Sequence, residues 1–347
     1  MKYDCLFVGN AIVDILADVS FEFMNDQGIE PGSWRPVEKE EIEKLQSIIP
    51  DNKVASGGSA ANSAVGFSFL GGSSAFIGRV KNDALGIEYI KDMDDAGVKF
   101  TSNPSETGLD TGRCLVYVTP DAQRSMRTYL GAASQLSPDE VNEESIANSA
   151  IVYLEGYLWD EALAKSSCKK ALELAKKNNI QTALSLSDSF CVTKWHKEIL
   201  DLTKNVDIVF GNEEEFKALF KTEILSDAIS ASRSQLKLSI ITRGHNGSIV
   251  ISDSQTDEVV AYPPDKLVDT TGAGDLYAAG FLYGLSKNMR HHECANLGSY
   301  LSSKVISVLG PRTEKDIREL AILSLIHISE PTRLLSISYA GFCVKKK

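Results

Sequence analysis

The stretch VDTTGAGDLYAAGFLYG, Val268 to Gly284, sets three small residues at the head of an apolar helical pattern and follows them at once with a carboxylate. The first turn of a helix has unpaired N–H groups and a partial positive charge. Gly272, Ala273 and Gly274 have little or no side chain, so an anion, above all a phosphate, can come close to those N–H groups. Asp275 has two readings. It is a helix cap, or it is a base that takes a proton from an acceptor hydroxyl while the cradle holds an arriving phosphoryl group. Serine or threonine would cap as well without repelling the phosphate.

Around this stretch the chain alternates strand-like and helix-like segments. Cys5–Val8, Ala75–Val80, Ile151–Leu154, Thr182–Leu186, Asp207–Phe210, Ser239–Thr242 and Ser248–Ser252 read as buried strands, and Ala84–Ala96, ALAKSSCKKALELAKKNN and NEEEFKALF as helices. That alternation predicts an α/β fold with a mostly parallel sheet covered on both faces. Val13–Val37 and Gly112–Thr128 instead alternate apolar and polar residues, as in strands with one wet face. They predict a small β-sheet lid over a site, from about residues 14–38 and 104–130.

Further polar groups stand at strand and helix ends. Gly57 and Gly58, in SGGSAANSAVGFSFLGG, allow close backbone approach, and Asn62 on the following helix offers both a donor and an acceptor. Asp14, in GNAIVDI, has the geometry for a pair of adjacent hydroxyls or is a solvated turn residue. Asn212 is a good N-cap for the helix carrying Glu215. Thr242, Arg243, Gly244 and Gly247 form a turn between two strands, and Asn296 lies in HHECANLGSYLSSKVISVLGPR. His291 and His292, being adjacent, point to different sides of a helix and read as surface residues. No G-x-x-x-x-G-K-[ST] occurs, and no G-x-G-x-x-G follows the first strand, which leaves a dinucleotide-dependent oxidoreductase remote.

Taken together, DTTGAGD, the GG…N segment and GNEEE resemble the signatures of the ribokinase-like (PfkB) carbohydrate and nucleoside kinases. GNAIVDI, RSMRTYLGAA, EGYLWD and LSDSF are similar to the bacterial adenosine-kinase branch. The resemblance covers the chain to about residue 323. It implies a three-layer αβα ribokinase-like fold and ATP-dependent phosphorylation of a nucleoside hydroxyl. By resemblance, Asp275 is the base and the backbone of Gly272, Ala273 and Gly274 the anion hole. Asp14, Gly57, Gly58 and Asn62 fall on the sugar hydroxyls. Arg124, after the lid strands, is a candidate to neutralise phosphate on closure or is a solvent-facing arginine. Asn212 and Glu215 organise water-bound Mg²⁺, Thr242 to Gly244 and Gly247 shape the nucleotide loop with Arg243 toward phosphate, and Asn296 meets adenine. Asp269 and Thr271 match a loop for a monovalent cation such as K⁺. Tyr157 and Phe190, with Phe21, Phe23, Met24 and Trp34 from the lid, are candidates to flank a purine or are core. Rival readings are a sugar kinase for fructose or 2-keto-3-deoxygluconate, and a nucleoside-binding protein without turnover.

The composition agrees with this. Apolar residues make up 43% of the 347, and the net charge of −11 argues against nucleic-acid or anionic-membrane binding. Phosphate held by backbone amides remains open. Six cysteines with no metal-ligand spacing suggest reduced core thiols and, with no apolar run of membrane-spanning length, a cytoplasmic protein. A monomer and a lid-paired homodimer are both compatible. Residues 324–347, ending in three lysines, resemble a vector-derived or read-through tail.

Overall fold

The computed structural model describes residues 2–49, 52–121, 123–253, 255–313 and 317. The expected boundary near residue 323 and the tail 324–347 lie outside the described residues.

In chain order the strands are β1 (Tyr3–Val8), β2 (Ile12–Asp18), β3 (Trp34–Pro36), β4 (Asn52–Gly57), β5 (Ser74–Ile77), β6 (Val98–Phe100) and β7 (Gly112–Val118). There follow β8 (Arg124–Tyr129), β9 (Ser149–Glu155), β10 (Gln181–Ser185), β11 (Ile208–Asn212), β12 (Leu238–Thr242), β13 (Ser248–Ser252) and β14 (Thr256–Val259). The large sheet runs β14-β13-β12-β11-β10-β9-β1-β5-β6. It is parallel from β6 through β12 and antiparallel only at the β12–β13 and β13–β14 edge.

The near-continuous apolar strands are explained by cover on both faces. Phe7, Tyr153, Phe210, Ile240 and Val250 pack on one face against helices Ser59–Phe69, Ala84–Asp95, Ala273–Ser286 and His291–Val305. Leu6, Val8, Val152, Leu154, Val209 and Ile241 pack on the other, against helices that include Ala162–Lys177, His196–Thr203 and Glu213–Phe220. From β1 the chain moves outward through β5 and β6, and from β9 it moves the other way. The strand order therefore reverses between β1 and β9, and their carboxyl ends open a crevice there.

The small sheet runs β3-β8-β7-β2-β4, with β2 parallel to β7. One face is covered by Met24, Ile42 and Leu45 from helices Phe21–Asp26 and Lys39–Ile48, against Val13, Ile15, Leu115 and Tyr117. The other carries a separate apolar cluster of Ile12, Leu16, Cys114, Val116, Val118 and Met126 with Leu130 and Ala133.

The expectation for this region needs two corrections. Residues 21–26 are helical, because Ser20 caps the segment by accepting from Phe23 N at 3.1 Å and one helical face buries Met24. The apparent alternation in FEFMND belongs to a helix of under two turns, too short to tell a period of 3.6 from one of 2. The sheet also takes in β4, while residues 104–111 lie outside it, joined to the body by a Lys81–Ser105 bridge. Met24 is core, Phe23 packs beside Tyr117 and Phe21 is exposed, so the first two are not free to flank a ligand. Trp34's side chain lies outside the described set. The five described cysteines, Cys5, Cys114, Cys168, Cys191 and Cys294, are buried and unbridged.

Candidate active site

The helix Ala273–Ser286 begins over the crevice. Its N-cap, Gly272, sits in the left-handed region at φ 75°, and a Cβ there would strike the Pro311 backbone. No side chain caps the terminus, and a Cβ on Gly274 would meet only open space. An anion can therefore reach this turn. The Asp275 carboxylate does not fold back as a cap. It reaches to the neighbouring helix, accepting from Ser59 Oγ at 2.6 Å and from Asn62 Nδ2 at 3.1 Å. Burial desolvates it and raises its pKa to about 6, against the two donors, which favour the charged form.

Asp14 faces the same space from β2. A Cβ on Gly57 would collide with its carboxylate, so glycine is needed there for Asp14 to lie against the β4 turn. Gly58, at φ 100°, presses equally close on the Asn10 carbonyl. Desolvation raises Asp14 to about 7 and Asp275 pushes the same way, while Arg312 and Arg124 oppose it. At the strand-order reversal, the fully buried Glu155 accepts from Asn10 N at 2.8 Å, Asn10 Nδ2 at 2.7 Å and Ala60 N at 2.7 Å. It ties β1, β9 and the helix of Asn62 into one block. Burial lifts its pKa to about 7 as well.

Two arginines brace this end. Arg124 forms a buried ion pair with Asp269, whose carboxylate also accepts from Thr271 N at 2.9 Å and Gly310 N at 2.8 Å. The expected free arginine is thus already engaged, joining the small sheet to the loop before the cradle. The Asp269 carboxylate, which the sequence offered to a monovalent cation, is paired with a guanidinium in this arrangement. Arg312 donates to Asn62 Oδ1 at 3.3 Å and Asp92 Oδ2 at 3.0 Å, and Asp92 in turn accepts from Ser56 N at 2.9 Å and from Ser56 Oγ.

The far end of the cleft differs. Asn212 and Glu215 form a reciprocal capping box: Glu215 Oε2 accepts from Asn212 N at 3.0 Å and Oε1 from Nδ2 at 2.7 Å. Each oxygen keeps a lone pair. Burial raises Glu215 to about 7, and Asp188 and Asp275 add to this. Carboxylates that sense one another favour a divalent cation between them, although among the described residues no group of three His, Cys, Asp or Glu could hold a metal directly. The arrangement fits Mg²⁺ that arrives with phosphate and keeps its waters.

Thr242 Oγ1 donates to Gly211 O at 3.4 Å. Arg243 is turned away from the expected phosphate position, donating to Asn246 O at 3.1 Å and Glu258 at 3.3 Å. Gly244 and Gly247 both take positive φ in the turn between β12 and β13. Asn296 pairs with His292 Nδ1 at 3.0 Å, and the partly exposed His291 lies beside the Phe281 ring. Phe190 is 63% exposed, and Tyr157 is partly exposed with its hydroxyl on Ser187 O at 3.2 Å. Neither is core.

The structure thus gathers Asp14, Gly57, Gly58, Asn62, Arg124 and Asp275 at one end. Sequence reasoning missed Glu155, Asn10, Ser59, Asp92 and Arg312. Asn10 stood in the turn after β1, and Arg312 in the LGPR that follows the last apolar helix. Asp92, in the middle of an amphipathic helix, gave no signal.

The chain is similar to known kinases. The pfkB family carbohydrate kinase model matches residues 34–318. The solved adenosine kinase from Sinorhizobium meliloti is 40% identical, with a TM-score of 0.88 over 93% of this chain and 100% of that one. The adenosine kinase of Saccharomyces cerevisiae is 25% identical over 90% of this chain and 97% of its own length. A 5-dehydro-2-deoxygluconokinase from Clostridium beijerinckii is 30% identical over 72% of this chain and 78% of its own.

Proposed function

The chain belongs to the pfkB family of carbohydrate kinases, phosphotransferases with an alcohol acceptor, and we propose that its acceptor is the 5′-hydroxyl of adenosine or a related nucleoside. The observation that carries this choice is the inner face of the small sheet. There Asp14 stands on the same side as Ile12, Leu16, Cys114, Val116 and Met126, with Leu16 near Gly310 beside the cradle. A carboxylate for two hydroxyls set in an apolar wall suits a ribose carrying a purine. A hexose would leave that wall facing polar groups.

In this reading Asp14 accepts the ribose diol, with Asn62 and the Gly57–Gly58 backbone beside it. Asp275, held by Ser59 and Asn62, takes the proton of the attacking hydroxyl. The amides of Gly272 to Asp275 stabilise charge on the transferring phosphoryl group. Mg²⁺, held through water by Glu215, would supply further neutralisation of the ATP phosphates. Arg124 keeps the small sheet down on the loop of Asp269, where it excludes water. Asn212, Thr242, Gly244, Gly247 and Asn296 border the nucleotide, and Tyr157 and Phe190 offer aromatic faces near the cleft.

A panel of acceptors with MgATP tests the choice. Turnover of adenosine at least about a hundredfold more efficient than that of hexoses or deoxygluconates is expected, since losing a buried diol contact or apolar wall costs about 3 kcal/mol. Robust turnover of the acidic sugar with none of nucleosides would instead favour the likeness to the Clostridium relative.

A further inference from the structure

We infer that Arg312 is a positioning residue for the base: it fixes the side-chain amide of Asn62 so that the amide donates to Asp275. The argument is one of donors and acceptors. A guanidinium can only donate and an ionised carboxylate can only accept. Asn62 stands between them, with Arg312 Nε 3.3 Å from Oδ1 and Asp275 Oδ2 3.1 Å from Nδ2. Only one orientation of the amide satisfies both neighbours, because flipping it would set nitrogen against guanidinium and oxygen against carboxylate.

Arg312 is itself held. Its Nη1 donates to Asp92 Oδ2 at 3.0 Å, and Asp92 is fixed by the Ser56 backbone and hydroxyl. The hydrogen bonds run from Ser56 through Asp92, Arg312 and Asn62 to Asp275. They join β4, two helices, the segment after the last described helix and the head of the cradle helix. The guanidinium is 15% exposed, so water competes little for it. The groups that the charge of Asp275 reaches are Asp14 on β2, Tyr153 and Glu155 on β9, Tyr157 after it, and Glu215 on helix Glu213–Phe220. None of these contacts Arg312 by a hydrogen bond among the described residues. Asn62 is one of the two donors that hold the Asp275 pKa down. An amide free to turn away would let it rise, and the base would be lost at a higher pH.

The inference rests on Asp275 being the base. It is tested with the full chain, MgATP and adenosine, by measuring kcat and KM through the acid limb for Arg312→Gln, Asn62→Ala and the double variant, with thermal melts of each. Arg312→Gln should move the acid limb of kcat upward by about one unit, roughly a tenfold loss on the acid side. KM for adenosine should change less. In the Asn62→Ala background the same substitution should add nothing to the shift of the kcat limb, since both remove one link, while the charge that Arg312 sets beside Asp14 is read separately in KM. Should Arg312→Gln fail to fold, Arg312→Lys reads the same quantity, because an ammonium lacks the planar fork by which Nε meets Asn62 and Nη1 meets Asp92; its limb should move in the same direction by less. An unmoved limb in whichever variant folds, or limb shifts that add in the double variant, overturns the inference. Asp275→Asn run alongside separates the two ideas: if it turns over normally the base itself is wrong, whatever Arg312 does.

Discussion

The two ends of the cleft are built differently. At the proposed acceptor end polar side chains are held from several parts of the fold: Asp14 lies against Gly57, Glu155 accepts from Asn10 and Ala60, Arg312 donates to Asn62, and Arg124 pairs with Asp269. At the nucleotide end Asn212 and Glu215 cap their own helix, Arg243 turns to Glu258, and Val260 and Leu267 stand 85% and 70% exposed. The first set of contacts runs between distant segments, whereas the second is mostly local and stands beside exposed apolar side chains. A site arranged this way places its discrimination in the acceptor, where a misplaced hydroxyl meets fixed partners, and leaves the donor to phosphate geometry.

Substitutions sharpen or break the contrast. The largest effect is expected from Asp275→Asn, a fall in kcat of about a thousandfold with acceptor affinity nearly kept, from the loss of general-base catalysis. In the unaltered chain Asp275, raised to about 6, must be ionised to accept a proton, so kcat should climb with pH through that value and level above it. A flat pH–rate profile below about 6 would remove the carboxylate from the chemistry. Next comes Asp14→Ala, expected to raise KM for the nucleoside about thirtyfold and leave KM for ATP within about twofold, as for losing charge-assisted hydrogen bonds of about 2 kcal/mol. Equal changes in both constants would mean that the ends are not separate. The smallest is Arg243→Ala, a half-buried arginine paired to an exposed glutamate. Its removal should change KM for ATP about threefold or less, and a change of about a hundredfold would show that the side chain swings onto phosphate.

The contrast also governs what could be read in the sequence. The large sheet was legible because parallel strands buried on both faces are written as short apolar runs, such as CLFV and IVYLE. The cradle was legible because small residues at a helix start have few other uses. The small sheet was half legible: β2, β7 and β8 alternate, but β4 is NKVASG and the helix at 21–26 imitates a strand over its whole length. The bracing groups were not. Asp92 and Glu155 stand far apart in the chain, and each looks like an ordinary acid until the fold sets an N–H or a guanidinium against it. Local pattern reports which face of an element is buried, and says nothing of which distant donor will meet it.

The segment 306–312 runs behind the cradle. The Ile306 carbonyl accepts from Val268 N and Asp269 N, Gly310 N donates to Asp269, Pro311 abuts Gly272, and Arg312 reaches Asn62. On the ribosome those residues emerge after both sheets are already available to fold. A nascent chain can therefore begin to form both sheets while the phosphate-holding turn and the Asn62 amide still lack their backing.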